Sequence, residues 1–199
     1  MRYTAEHKQR TRERVLKEAA LAIRQDGPDR VAVAGLMARA GLTHGGFYAH
    51  FASKDDLLVS AIEQMFHEAI AYLDHLFEGR SPKDGLAAYL DFYLSPGHRD
   101  RRDMGCPMPA MAADLPRLGA PAREAFERGA ATLTSRIAGG LQAMGVADAG
   151  VQAVSVLSEM VGAVVLARSI ADPGPSDTIL GASRAALGRR LGLGPVRAA

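Results

Sequence analysis

Apolar residues recur along this chain at spacings of three and four rather than two, which is the period of a helix. Val15, Ala19, Ala22 and Ile23 share one face of a helix expected over residues 5–25, which Gly27 and Pro28 stop. Leu36, Met37 and Ala40 mark the inward side of a short helix over residues 33–40. Gly41, Leu42 and Thr43 then form a turn, and Thr43 is placed to cap a second short helix over residues 44–50. Phe47 and Phe51, four apart, face inward from it.

Ser53 with Asp56 three positions on has the pattern of a capping box. It opens a long helix whose stripe runs through Leu57, Leu58, Ala61, Ile62, Met65, Phe66, Ala69, Ile70 and Leu73 before Gly79 ends it. Further helices are expected at 82–94, 107–114, 121–144, 149–171 and 176–191. Ser95, Pro96 and Gly97 read as a break, and residues 98–103 as a charged loop. No alternating strand and no glycine-rich strand-to-helix fingerprint interrupts this sequence of helices, so the fold class is all-α.

Charge adds a polarity to that picture. Residues 1–60 carry ten Lys and Arg against seven Asp and Glu, while the rest carry fourteen against fifteen. Within the first seventeen residues the basic side chains outnumber the acidic ones six to two, which suits a polyanion or a solvated helix face. The single cysteine, Cys106, excludes an internal disulfide framework and offers no paired-cysteine metal site. No metal and no cofactor are expected, nor is there a nucleophile-and-base spacing that would indicate an enzyme. No run approaches the roughly 20 uninterrupted apolar residues of a bilayer span, and the first residues are polar and basic, so a cytoplasmic protein with no membrane partner is expected.

Two short helices joined by a glycine-containing turn form a helix-turn-helix pattern, whose second helix fits the DNA major groove. Here that second helix carries Gly45 and Gly46 in its first turn, at a cost of about 1 kcal/mol each relative to alanine. Bare positions there either allow close backbone approach to DNA or reflect a frayed helix start.

The run GLTHGGFYAHFASKDDLL, residues 41–58, preceded by RVAVAGLMARAGL, resembles the signature of the TetR/AcrR family of bacterial regulators. The resemblance covers about the first sixty residues. It implies an N-terminal three-helix helix-turn-helix domain, residues 1–52, followed by a six-helix ligand-binding and dimerisation domain, residues 53–199. The implied function is that of a transcriptional regulator, a repressor released by a small-molecule effector from a double-stranded DNA operator with inverted-repeat symmetry.

By position, Thr43 would contact phosphate, His44 and Gly46 would face base edges, and Gly45 agrees with the family. Tyr48 would reach the backbone or a thymine methyl, and His50 and Lys54 would bind phosphates. Tyr48 and His50 could instead close the small core with their rings. The sequence departs from the family at Ala32, where a capping hydroxyl is usual, and at Gly46, where Thr or Ser is frequent.

In the family, the later helices enclose a ligand cavity and the last two pair with their mates in a four-helix bundle. Phe66, Ile70, Tyr89, Phe92, Tyr93, Met108 and Met111 could line such a cavity, although each could equally be plain core. Residues 151–170 are apolar around most of the helix circumference. Met160, Val161, Val164 and Val165, with Leu180 and Leu187 of the last helix, are the expected interface of a homodimer. Glu159 lies inside that apolar run, where it would pair with an Arg across the interface, face a ligand, or reach solvent.

Overall fold

The computed structural model describes residues 5–194, apart from the side chains of Ala5 and His44. These residues form nine α-helices and three short 3-10 segments, and no strand occurs among them. The helices are α1 (Ala5–Asp26), α2 (Val33–Arg39), α3 (Lys54–Phe77), α4 (Pro82–Tyr93), α5 (Pro96–Asp100), α6 (Pro107–Met111), α7 (Ala120–Ala143), α8 (Ala149–Arg168) and α9 (Pro173–Arg190). The 3-10 segments are His44–Ala49, Arg102–Met104 and Leu115–Arg117.

Packing divides the chain into two compact units. One comprises the residues up to His67 together with Cys106–Gly129, and the other comprises Glu68–Gly105 and the residues from Ala130 onward. These units follow packing rather than a functional division at residue 52. The reason is that Leu57, Leu58, Ala61, Ile62 and Met65, on the first turns of α3, are buried in the first unit.

In that unit the core is built from the positions the helical period selects. Val15, Ala19 and Ile23 of α1 are buried with Leu36 and Met37 of α2, Phe47, Phe51 and the start of α3. Each large apolar side chain removed from water contributes on the order of 1.5–3 kcal/mol. The turn after α2 closes with two backbone bonds, Leu42 N–H to the Met37 carbonyl at 2.9 Å and Gly41 N–H to the Ala38 carbonyl at 3.0 Å. This double bond pattern needs a left-handed residue just past the helix end, and Gly41 supplies it with φ 69°. Arg24, nearly fully buried, donates from Nη2 to the Met65 carbonyl at 3.3 Å and so ties α1 to α3.

The second unit is held by α8 against α9. Ala153, Val156, Leu157, Met160, Ala163, Val164 and Ala167 are buried on α8, and Leu180 and Leu187 on α9. Contrary to the expectation that no segment reaches the length of a bilayer span, α8 could cross one by length and composition, yet one side of it is buried in this packing. The ring of Phe77 is wedged between two glycines. A Cβ on Gly85 of α4 would lie 2.7 Å from it, and one on Gly140 of α7 would lie 3.1 Å away.

Residues 98–103, expected as a charged loop, are instead largely helical. Ser95 accepts the His98 N–H at 3.1 Å and Pro96 occupies the first turn, so the break starts a new helix, α5. His98 is buried, with Nδ1 2.8 Å from the Tyr93 carbonyl and its ring 4.6 Å from that of Tyr93 and 5.1 Å from that of Phe92. Arg168 of α8 donates from Nη2 to the His98 carbonyl at 3.1 Å and from Nε to the Arg99 carbonyl at 3.0 Å. Arg99 itself donates to the Ser176 hydroxyl of α9 at 2.7 Å.

Candidate nucleic-acid interface

The segment after the turn adopts a tighter helix than its sequence suggests. His44–Ala49 is 3-10, opened by Gly46 N–H donating to the Thr43 carbonyl at 3.0 Å. Two adjacent glycines are poor α-helix formers, and the short i to i+3 bonding asks less of them. Thr43, expected to cap this helix with its side chain, makes no such bond; only its carbonyl serves the segment. Ala32 likewise leaves α2 without a side-chain cap, as its lack of a hydroxyl requires.

Phe47 and Phe51 point inward as expected, each 1% exposed, with ring centroids 5.5 Å apart. Tyr48 turns the other way. Its ring meets Phe47 edge-on at 5.3 Å yet remains 70% exposed, so the alternative in which it closes the core does not hold. Thr43, Gly45, Ala49 and Lys54 are exposed as well, while the His44 side chain lies outside the described residues. Gly45 has no atom within 4 Å of the place a Cβ would take, and a Cβ on Gly46 would make only ordinary contacts, 3.7 Å from Met37 and Thr43. Neither glycine has a positive φ. Internal packing therefore does not require glycine at either position.

His50 stands between the two expectations for it. It is half-buried, and its Nδ1 is shielded without a hydrogen-bond partner. Burial holds its pKa below the ordinary 6.5, and the nearby positive charges of Lys8, Arg12 and His7 push the same way. The basic start of α1 is thus beside the reading segment. Arg12 lies 5.0 Å above the Phe51 ring and donates to the Ser60 hydroxyl at 3.0 Å. The basic front of the chain includes Lys8 and Arg12, whose spacing of four puts them on one face of α1.

The expected pocket residues fall into both units. In the first, Phe66 packs edge-on against Phe126 at 5.1 Å, Met111 is buried and Met108 half-buried. In the second, Tyr89 and Tyr93 are buried 5.7 Å apart, Ile70 and Phe92 are half-buried, and Phe92 sits 4.3 Å from Tyr72. Glu159 pairs with Arg190 of the same chain, Oε2 to Nη1 at 3.3 Å, which answers its charge between α8 and α9.

The expected dimer residues also separate. Met160, Val164, Leu180 and Leu187 are buried within the chain, where α8 and α9 pack together. Val161 is half-buried and Val165 exposed. The outward stripe of α8 is Val151, Val154, Val165 and Leu166, exposed by 71%, 56%, 42% and 59% respectively. A heptad-like spacing could have found that stripe, but on a helix apolar all round nothing in the sequence says which side faces α9.

Together, a Schellman-closed turn, a short glycine-led segment with an outward tyrosine and a basic neighbouring helix define an all-helical protein with an N-terminal helix-turn-helix unit. Residues 15–61 match the sequence profile of the bacterial regulatory proteins of the tetR family. Over that stretch the chain is similar to members of that family. It is 28% identical over 105 residues to the HTH-type transcriptional regulator YfiR of Bacillus subtilis, an alignment spanning 53% of this chain and 51%, about half, of that relative. Among solved structures, a TetR transcriptional regulator from Chloroflexus aurantiacus superposes with a TM-score of 0.79 at 26% identity, covering 94% of this chain and 96% of that one. A TetR-family regulator from Agrobacterium tumefaciens gives 0.78 at 23% identity over 92% and 98%. The reduced form of Escherichia coli NemR shares the fold, with 0.80 at 21% identity over 90% and 97%.

Proposed function

We propose that the chain is a sequence-specific DNA-binding transcriptional regulator rather than an enzyme. In this reading it is a cytoplasmic homodimer that represses from an inverted-repeat operator and is released when a small-molecule effector binds its helical body. The observation that carries the reading is the Tyr48 ring, 70% exposed on a segment whose two glycines have no packing reason to be glycine. An aromatic side chain left in water beside bare backbone fits a surface that is covered only when a partner arrives. The match of residues 15–61 to a family of bacterial regulatory proteins says which partner to expect.

Thr43, His44, Gly45, Gly46, Tyr48, His50 and Lys54 form the proposed DNA contact set, with Lys8 and Arg12 of α1 adding charge toward phosphate. Two such heads on a symmetric dimer would meet successive major grooves, about 34–36 Å apart. The outward Val151, Val154, Val165 and Leu166 are the proposed seam between copies. Phe66, Met108 and Met111 of the first unit and, separately, Ile70, Tyr89, Phe92 and Tyr93 of the second remain proposed effector-binding residues, and an effector acts by favouring a state in which the heads no longer match that spacing.

A gel shift on the promoter nearest the gene, titrated with salt, tests the reading. Specific binding that weakens steeply as salt rises is expected. Tyr48→Ala should abolish the shift while leaving the oligomeric state unchanged, and a Tyr48→Ala protein that binds normally would refute the assignment. Aromatic and cationic small molecules added to the shifted complex test the effector arm by release of free DNA.

A further inference from the structure

Two side-chain hydrogen bonds tie α1 to α3. Arg24 reaches the Met65 carbonyl at 3.3 Å and, twelve positions earlier on α1, Arg12 donates from Nη2 to the Ser60 hydroxyl at 3.0 Å. The second bond differs in what lies beside it, for the Arg12 guanidinium also stands 5.0 Å from the centre of the Phe51 ring. Phe51 closes the reading segment, its N–H donating back to the Phe47 carbonyl at 3.1 Å, and Ser60 lies on the second turn of α3. One guanidinium therefore meets both sides of the junction at residues 52–54, where the chain leaves the reading segment and enters α3.

The rings of Phe47 and Phe51 hold the same segment by burial, which is strong but not directional. A planar guanidinium can stack on a ring and donate along a fixed direction at once. Arg12 is half-buried, whereas Lys8, one turn before it on the same face, is exposed. Arg12 thus lends charge to the basic front, while the contacts it makes point into the fold. We infer that Arg12 is a positioning residue for DNA binding: through Phe51 and Ser60 it fixes the orientation of the reading segment on α1 and α3, and Ser60 shares that role without touching DNA. With the clamp broken, the segment samples other orientations and the apparent affinity falls with the fraction still competent to bind. This inference rests on the reading of the segment as a DNA interface.

The experiment measures the affinity of the full-length protein for a duplex that wild type enriches from a random pool. Fluorescence anisotropy is read at several salt concentrations, well below the melting midpoint of each variant. Ser60→Ala changes no charge. It should weaken binding about five-fold, as for the loss of one modest hydrogen bond, with the slope of log affinity against log salt unchanged. Ser60→Thr, which keeps the hydroxyl, should bind as wild type does. Arg12→Lys keeps the charge but not the fork and should also lose affinity. Adding Ser60→Ala to it should cost nothing further, because both changes break the same bond.

Wild-type affinity in Ser60→Ala or in Arg12→Lys, equal losses in Ser60→Thr and Ser60→Ala, or additive losses in the double variant would each overturn the inference while leaving DNA binding intact. A salt slope reduced by about one in Ser60→Ala would overturn it too, since Arg12 would then be acting on a phosphate. Failure of wild type to enrich any duplex would instead defeat the regulator reading itself.

Discussion

Phe66 rests on the bare backbone of Gly129: a Cβ built on that glycine would lie 2.2 Å from ring carbons Cγ and Cδ2. The ring cannot retreat freely, since it is 2% exposed and also meets Phe126 at 5.1 Å. Gly129 lies inside α7, where alanine would ordinarily stabilise by about 1 kcal/mol. Overpacking of this kind costs about 1–3 kcal/mol and reverses the sign. Gly129→Ala should therefore lower the thermal midpoint by several degrees. Gly139→Ala, on the same helix with nothing within 4 Å of the new methyl, should raise it by a few. Equal shifts for the two variants in a melting experiment would show that the ring-on-glycine packing is not a constraint.

The buried His98 makes the fold acid-sensitive. Burial lowers its pKa to about 4, against the raising effect of its bond to the Tyr93 carbonyl and with help from the positive Arg168. An unfolded chain would protonate the same ring near its ordinary 6.5, so between 6.5 and 4 the unfolded state binds the extra proton. The stability due to neutral His98 is complete above about pH 6.5 and is lost as pH falls through that window, by about 3 kcal/mol at most. Denaturant unfolding of wild type and His98→Gln at several pH values checks this. The variant's stability should vary less between pH 6.5 and 4.5, and parallel curves would exclude His98 as the cause.

Much of this molecule is legible from local chemistry. Ser53 and Asp56 form the expected cap, with the Asp56 N–H 3.0 Å from the Ser53 hydroxyl and Asp56 accepting the Ala52 N–H at 2.9 Å. Phe47 and Phe51 go inward because their spacing of four leaves them no other shared face. What the sequence hides is decided by partners far along the chain. His98 looks like part of a charged loop until Tyr93, Phe92 and Arg168 are placed around it. Met160 and Val164 look as available for a second copy as Val154 and Val165, and only the packing of the chain's own helices separates the buried pair from the exposed one. The outward direction of Tyr48 is of the same kind, since its neighbour Phe47 had to take the core position first.

DNA binding should tighten as pH falls, through His50. In the free protein its pKa lies below 6.5 because of burial and the charges of Lys8, Arg12 and His7. A phosphate at this position would favour the protonated ring, so the bound pKa is higher and complex formation takes up a proton. Affinity therefore grows as pH drops through the bound-state value and levels off below the free-state one. Fluorescence anisotropy at constant ionic strength should show this slope in wild type and a reduced one in His50→Gln. Superimposable pH profiles would mean that His50 does not touch the backbone.

The separation of α8 into an inner and an outer face gives the proposed dimer a direct test. Val154 and Val165 are both exposed, so a charge there disturbs the chain's own packing far less than it disturbs a surface another copy would cover. Val154→Asp and Val165→Asp should each yield folded monomers in sedimentation at micromolar concentration, with helix content and melting of the isolated chain retained. Met160 is fully buried against its own chain, so Met160→Ala removes core volume and should cost about 2–5 kcal/mol of stability without selectively separating subunits. If Val154→Asp and Val165→Asp both sediment as wild-type dimers, the outer stripe of α8 is not the seam. Should Met160→Ala dissociate while remaining fully stable, the assignment of that side chain to the core would fall instead.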